Sequence, residues 1–395
     1  MTHGRPIRVL QIIDSLGMGG AETWLMEVLR LWSKSKVGRI DFLATSGNPG
    51  IFDEEARRLG AQVHYVRFGR AQLWRFAKQF RQVLREGRYH AIHDHQDYAS
   101  GWHFLMGAAA LPPVRVTHVH NPAYQIRNNY GVTFSRRVTA RMGRRLVACY
   151  TTHITGTSRQ VIAEYGFDAS PFRRVPKAVL HCGFDTARFL GDSTSSKTSI
   201  RHEFGWSEDT KIILFAGRID QSPDLGHPQN HKNSGFAVSV GIECARRDPR
   251  MCMLLAGAPS PAVPDLEQRI IASGLEGRIR FAGTRKDIER IMLASDVLLF
   301  PSRGEGLGMV AVEAQAAGLP VLLSDAVPRE CIVVPELVQF QKLEAGEAAW
   351  ADDLLQLAKR PPNILGANQK VADSTFSIAS SADALLRLYS EGSLS

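Results

Sequence analysis

The chain has 395 residues, 44% apolar and 22% charged, too long for one ordinary core and free of low-complexity tracts, so a soluble protein of about two domains is expected. Five scattered cysteines without a Cys-x-x-Cys pair argue against a disulfide framework or a cysteine zinc site and fit reduced thiols in a cytoplasm. The net charge of +9 is uneven: residues 1–180 hold 26 basic against 12 acidic residues and the remainder 22 against 27, so the first half is expected to face something anionic.

From the N-terminus, the apolar run in "MTHGRPIRVLQIID" is too short for a secretory signal and no cleavage site comes after it. No window of about 18 apolar residues would span a membrane. Strands are predicted at 7–13, 40–45, 63–68, 90–93, 114–119 and 153–157, with amphipathic helices between them at 20–33, 71–87 and 133–148. The polar stretch 191–199 reads as a linker. Strands resume at 211–217, 251–257, 278–283, 296–300 and 320–324. The rhythm predicts an α/β protein with two Rossmann-like, doubly wound domains facing a cleft. Predicted boundaries are 1–185 and 186–375, with a C-terminal helix at 376–395 crossing back to the first domain.

In such sheets ligands bind beyond the carboxyl ends of the strands, where glycine-rich turns lead into helices. Gly17, Gly19 and Gly20 come after the first strand, Gly217 ends the run 211–217, and Gly304, Gly306 and Gly308 come after 296–300. The stretch "PSRGEGLGMVAVEAQAAGLP" (301–320) sets Glu305 in that last loop and Glu313 inside the helix expected from Gly308 to Ala317. A helix start offers unpaired N–H groups to a phosphate. Glu305 would accept hydrogen bonds from hydroxyls beside the phosphate. Glu313, about 7.5 Å further along the axis, would meet the other end of a bound nucleotide. By spacing alone, both also fit solvated or capping acids. Arg218 past one strand end and Lys232 at the next helical start would neutralise a diphosphate leaving group, although each alone also fits a surface charge. No Asp-x-Asp occurs in the chain, so a metal-held diphosphate is not expected.

Taken together, these segments resemble family 4 retaining glycosyltransferases of the GT-B fold (glycosyl transferases group 1), among those that build bacterial capsular, exo- or lipopolysaccharides. The resemblance runs over most of the length. "SLGMGGAETWLMEVL" resembles the family's Gly-Gly-Ala-Glu turn and helix, "VTHVHNP" the strand ending in the active-site His, and "GTSRQVIAEYG" the serine-headed helix. "FAGR" with the later Lys, and "PSRGEGLGMVAVEAQAAGLPVLLSD", carry the donor-site signature. The resemblance implies an acceptor-side N-terminal domain and a donor-binding C-terminal domain. It assigns Arg218 and Lys232 to the donor's phosphates, Glu305 to the transferred sugar and Glu313 to the ribose hydroxyls. Backbone N–H groups of Gly306, Leu307, Gly308 and Met309 would line the phosphate side. Gly19 and Gly20 would let the first loop approach phosphate or sugar closely, and His120 would support the reacting centre. Two departures stand out: Cys182 where the family usually has Asn, and the insertion "DQSPDLGHPQN" lengthening the Arg-to-Lys interval.

The implied activity is hexosyl-type transfer from a nucleotide sugar to a saccharide or lipid-linked saccharide, by front-face retention, without metal or other cofactor and without nucleic acid. The implied location is cytoplasmic, with peripheral contact at the inner face of the cell membrane. That contact would use the basic residues Arg75, Lys78, Arg81 and Arg85 of one helix and Arg136, Arg137, Arg141, Arg144 and Arg145 of another. Three alternatives remain at this level. A metal hydrolase would use the His93/His95 and His118/His120 pairs, which share strand faces at i, i+2. A GT-B epimerase would act on the nucleotide sugar itself, and an inactive partner subunit would only bind the donor.

Overall fold

Near-continuous apolar runs become strands here because a parallel sheet covered on both faces buries the whole strand rather than alternate side chains. The computed structural model describes residues 7–35, 37–125, 133–222, 224, 226–361 and 363–392. Its first sheet comprises β1 (Ile7–Ile13), β2 (Gly38–Ala44), β3 (Val63–Tyr65), β4 (Ala91–Asp94), β5 (Val114–Val119), β6 (His153–Gly156) and β7 (Lys177–Val179). The spatial order is β3-β2-β1-β4-β5-β6-β7, all parallel. The second comprises β8 (Lys211–Ala216), β9 (Met251–Ala256), β10 (Ile279–Gly283), β11 (Val297–Phe300), β12 (Val321–Ser324) and β13 (Val338–Gln341), ordered β10-β9-β8-β11-β12-β13 and again parallel. The expected doubly wound α/β class is what the chain adopts.

The chain divides into two compact units. One holds the described residues of Met1–Ala123, Tyr130–Phe184 and Thr375–Ser395; the other holds those of Tyr124–Asn129 and Asp185–Ser374. In the first, Leu10, Ile12, Leu43 and Ile92 of the sheet pack with Phe76, Phe80 and Phe104 of the covering helices. In the second, Phe215, Met253, Leu255 and Leu299 pack with Phe236 and Trp350. The C-terminal helix Ile378–Glu391 belongs to the first unit, where it buries Leu385, Leu388 and Tyr389.

Two differences from the sequence reading have physical causes. The stretch 191–199 is not a linker: most of it lies in the helix Ser193–Phe204, whose Asp192 cap accepts from the Thr194 amide at 2.9 Å. Its polar sequence conceals a helix because only Ser196 and Ile200 face inward, while Lys197 reaches Asp296 at 3.0 Å. β7 and β13 escaped the periodicity reading because both are short, partly exposed edge strands.

Strand order reverses between β1 and β4 in one sheet and between β8 and β11 in the other. The loops leaving these four strands are the places where such sheets bind ligands.

Candidate active site

In the second unit, β8 ends at Ala216 and the chain passes through Gly217 to exposed Arg218 and buried Asp220. Asp220 organises the segment that leads to the next helix. Its Oδ1 accepts the Lys232 amide at 3.0 Å, its Oδ2 the Ser234 amide at 2.8 Å, and its own amide donates to Ser234 Oγ at 3.1 Å. Between them, Asn230 closes the insertion by donating to the Ser222 carbonyl at 2.7 Å and accepting from the Ser222 amide at 3.3 Å. The longer Arg-to-Lys interval therefore folds back on itself. It returns Lys232 to the strand end, where a Cβ added to Gly217 would lie 3.6 Å from Lys232 Cδ.

From β11, the loop Pro301–Gly308 leads into the helix Met309–Ala316. Lys232 Nζ contacts Glu305 Oε1 at 2.6 Å and stands 5.4 Å from the centre of the Phe300 ring. Both charged side chains are half-buried, so the pair is only partly screened by water. Gln125 Nε2 donates to the Gly304 carbonyl at 2.8 Å, and a Cβ at Gly304 would strike the Tyr124 hydroxyl. Gly308 is the helix N-cap at φ 94°, a conformation that favours glycine. Burial lowers the pKa of His231, with Asp220 and Glu305 opposing that shift and Arg218 and Lys232 adding to it, so all four charges converge near this turn.

Glu313, the fifth residue of that helix, has different neighbours. Burial raises its pKa to about 7, with Arg188 opposing and Glu289 reinforcing the shift. Arg188 itself holds Glu289 at 3.0 Å. The structure thus joins Lys232 to Glu305 directly, sets Arg218 within electrostatic reach of His231, the residue before Lys232, and gives Glu313 an environment of its own.

In the first unit, β1 leads through Gly17 and Gly19 into the helix Gly20–Ser35. Space around Gly20 is open, whereas a Cβ on Gly19 would strike the Glu22 carboxylate. Cys182, the departure from the family's Asn, is buried, and burial with the nearby Glu22 charge raises its pKa to about 12. At the ends of β4 and β5 four imidazoles gather. His95 Nδ1 lies 2.8 Å from His120 Nε2, and His93 Nε2 lies 3.1 Å from His118 Nδ1. Burial lowers the pKa of each, that of His120 to about 4, so all four are neutral near pH 7. Gln11 and Tyr389 complete the group: His95 Nε2 is 2.9 Å from Gln11 Oε1, and His93 Nδ1 is 2.6 Å from the Tyr389 hydroxyl.

Nitrogens of His93, His95 and His118 do come within 4.8 Å of one another. The nitrogens just described are nevertheless engaged with each other and with Gln11 and Tyr389, and the hydrolase reading is not favoured. Sequence reasoning missed Asp220, Gln11 and Tyr389. The one available signal was a polar Gln in the otherwise apolar interior of β1.

Comparison with known proteins agrees along the chain. Residues 18–188 match the family model described as Glycosyltransferase Family 4, and residues 210–360 match that of glycosyl transferases group 1. A putative glycosyltransferase, EpsF of Bacillus subtilis (strain 168), is 29% identical over 355 residues, 89% of this chain and 88% of that protein. HepE of Anabaena, solved in complex with UDP and glucose, superposes with a TM-score of 0.70 at 20% identity, over 97% of this chain and 95% of that one. WaaG, a glycosyltransferase involved in lipopolysaccharide biosynthesis, does so with a TM-score of 0.68 at 16% identity, over 97% and 99%. Two family models, one over most of each unit, and a relative aligned over nearly the whole length give one result: the chain belongs to the family 4, group 1 glycosyltransferases and has their GT-B fold.

Proposed function

We propose that the protein transfers a sugar, with retention of configuration, from a nucleotide-sugar donor to a saccharide or lipid-linked saccharide in the synthesis of a bacterial surface polysaccharide. The observation carrying this reading is the Lys232–Glu305 contact of 2.6 Å in the loops that leave β8 and β11. It pairs a cation suited to a diphosphate with a carboxylate suited to sugar hydroxyls, beside the start of a helix. Support for the donor class comes from HepE, solved with UDP and glucose, and for the pathway class from WaaG and its part in lipopolysaccharide biosynthesis.

In this reading Arg218, Lys232 and the amides of Gly306, Leu307, Gly308 and Met309 hold the diphosphate, Glu305 the transferred sugar and Glu313 the ribose. Gly19, Gly20 and His120 serve the sugar side. The acceptor hydroxyl attacks the anomeric carbon on the face from which the phosphate departs. The carbon–phosphate oxygen bond breaks, the new glycosidic bond forms, and the acceptor's proton passes to the departing phosphate.

The test is a thermal-shift screen across nucleoside diphosphate sugars, repeated with EDTA. A true donor at a hundred times its dissociation constant adds about 2.7 kcal/mol of stability. Because side chains and a helix start hold the diphosphate, the shift and the turnover should both survive chelation. Complete loss of turnover, restored by magnesium or zinc, would overturn the metal-independent reading.

Contact with an anionic membrane is part of the same proposal. No helix among the described residues is long and apolar enough to cross a bilayer. On the helix Phe134–Tyr150, however, Phe134, Val138 and Met142 are 83%, 41% and 45% exposed at spacings of four, and Arg137, Arg141 and Arg145 are exposed beside them. Arg144 is committed elsewhere: it donates to the Gly166 carbonyl at 2.7 Å and lies over Phe172. An apolar stripe edged by cations suits the interface of an anionic leaflet, each cation adding about 1 kcal/mol. Wild type should bind anionic vesicles at low salt and ignore neutral ones, and replacing Arg137, Arg141 and Arg145 with Glu should abolish binding at unchanged donor affinity. Indifference of the wild type to anionic vesicles would remove the membrane from the reading.

A further inference from the structure

The four histidines belong to a single hydrogen-bonded chain whose donors and acceptors are fixed from its middle. Gln11 is fully buried in β1. Its Nε2 donates to the Tyr389 hydroxyl at 3.0 Å, so its Oε1, 2.9 Å from His95 Nε2, must accept. A carbonyl oxygen cannot donate, hence His95 carries its proton on Nε2 and its Nδ1 is bare. The 2.8 Å contact between His95 Nδ1 and His120 Nε2 then requires the proton on His120 Nε2. In the other direction Tyr389 accepts from Gln11 and so donates to His93 Nδ1 at 2.6 Å, leaving His93 Nε2 to donate to His118 Nδ1 at 3.1 Å. The rings are held in place as well: the Trp24 indole crosses His95 and His118 edge to face and is anchored by donating to Ser381 Oγ at 2.8 Å.

His120 Nδ1 has no partner among the described residues, and the side chain is partly exposed at the end of β5. We propose that His95 and Gln11 are positioning residues for the transfer reaction: they hold His120 as the neutral Nε2–H tautomer, so that its Nδ1 is presented as an acceptor for a hydroxyl of the transferred sugar. The proposal rests on the reading that His120 faces that sugar. It gives the C-terminal helix a function too, since the hydroxyl of Tyr389, 378 residues from Gln11, accepts the amide hydrogen bond that orients the Gln11 side chain. A donor-type His120 would instead select a lone pair, such as a ring oxygen or a carbonyl of the sugar. The polarity of the chain is therefore a device for sugar recognition.

The experiment is long-range proton–nitrogen NMR of the full-length protein labelled with 15N-histidine, with His120 signals identified from a His120→Gln variant. Wild type should show His95 and His120 protonated at Nε2 and bare at Nδ1. His95→Leu should give His120 a mixture of tautomers and lower kcat on the order of tenfold, with KM for the donor within about twofold. His95→Gln should restore most of the rate, because its amide nitrogen donates to Gln11 and its carbonyl accepts from His120. Gln11→Leu serves as a second break should His95→Leu fail to fold. Protonation of wild-type His120 at Nδ1, or an unchanged tautomer in a folded His95→Leu or Gln11→Leu protein, would overturn the proposal. A shifted tautomer with undiminished turnover would overturn it through the placement of His120 at the sugar, leaving the hydrogen-bond polarity intact.

Discussion

Glu305→Ala should lower turnover by roughly one to two orders of magnitude while leaving affinity for the bare nucleoside diphosphate nearly unchanged. The reason lies in the two groups that Glu305 engages. Its carboxylate holds Lys232 Nζ at 2.6 Å, and in the proposed complex it also accepts hydroxyls of the transferred sugar. Losing a charge-assisted hydrogen bond costs about 1.5–3 kcal/mol, and here the loss falls on the reacting sugar. Removing the carboxylate also releases the Lys232 ammonium, which stays near Phe300 and is freer to meet phosphate. Nucleotide affinity should therefore hold or rise slightly. Lys232→Ala should do the opposite, weakening diphosphate binding directly and leaving Glu305 half-buried without its partner. Calorimetric titration with the diphosphate, set against single-turnover rates with the nucleotide sugar, separates the two variants. Equal loss of diphosphate affinity in both would defeat the division of labour.

Glu313→Gln should make the free protein more stable at pH 8 and a poorer nucleotide binder. Burial holds the Glu313 pKa at about 7, above the ordinary value of 4.5. Between those two pH values the folded chain keeps a proton that the unfolded chain has released, so this residue's contribution to stability falls as pH rises through the window. Above pH 7 the penalty is fully developed, up to about 3 kcal/mol at 1.36 kcal/mol per unit. Partial exposure of the side chain reduces it. The neutral amide removes that penalty, so the variant's advantage should be largest at pH 8 and vanish near pH 4. Binding should show the reverse. Ribose hydroxyls donate best to the ionised carboxylate, so wild-type nucleotide affinity should increase through pH 7, while that of Glu313→Gln stays flat and about tenfold weaker at pH 8. Thermal melts and titrations over pH 5–8 test both halves. A wild-type affinity independent of pH would remove Glu313 from the ribose.

What could be read from the sequence was whatever is written locally. β1, β5, β8 and β11 announce themselves as apolar runs because strands buried on both faces need little else. The turn at Gly304–Gly308 was legible because glycine spacing before a helix is a backbone requirement, met within a few residues. Family likeness then supplied roles for Arg218, Lys232, Glu305 and Glu313 that spacing alone left open. The helix Ser193–Phe204 was illegible for the converse reason, since a polar helix that buries little carries almost no periodic signal.

The sequence alone determined the fold class and the four strand ends from which a site could be built, because hydrophobic burial and glycine conformation act over short stretches of chain. Tertiary structure alone decided which side chains meet there. Lys232 and Glu305 are 73 residues apart, and their contact depends on β8 and β11 being neighbours across the reversal in strand order. Asn230 closes an insertion that spacing could only measure as extra length. The histidine chain needs β1, β4, β5 and the C-terminal helix at once, with Tyr389 brought to Gln11 across 378 residues. Hydrogen-bond polarity cannot be written into any one of these segments. It exists only when each donor has found its acceptor, and in this fold those partners come from opposite ends of the chain.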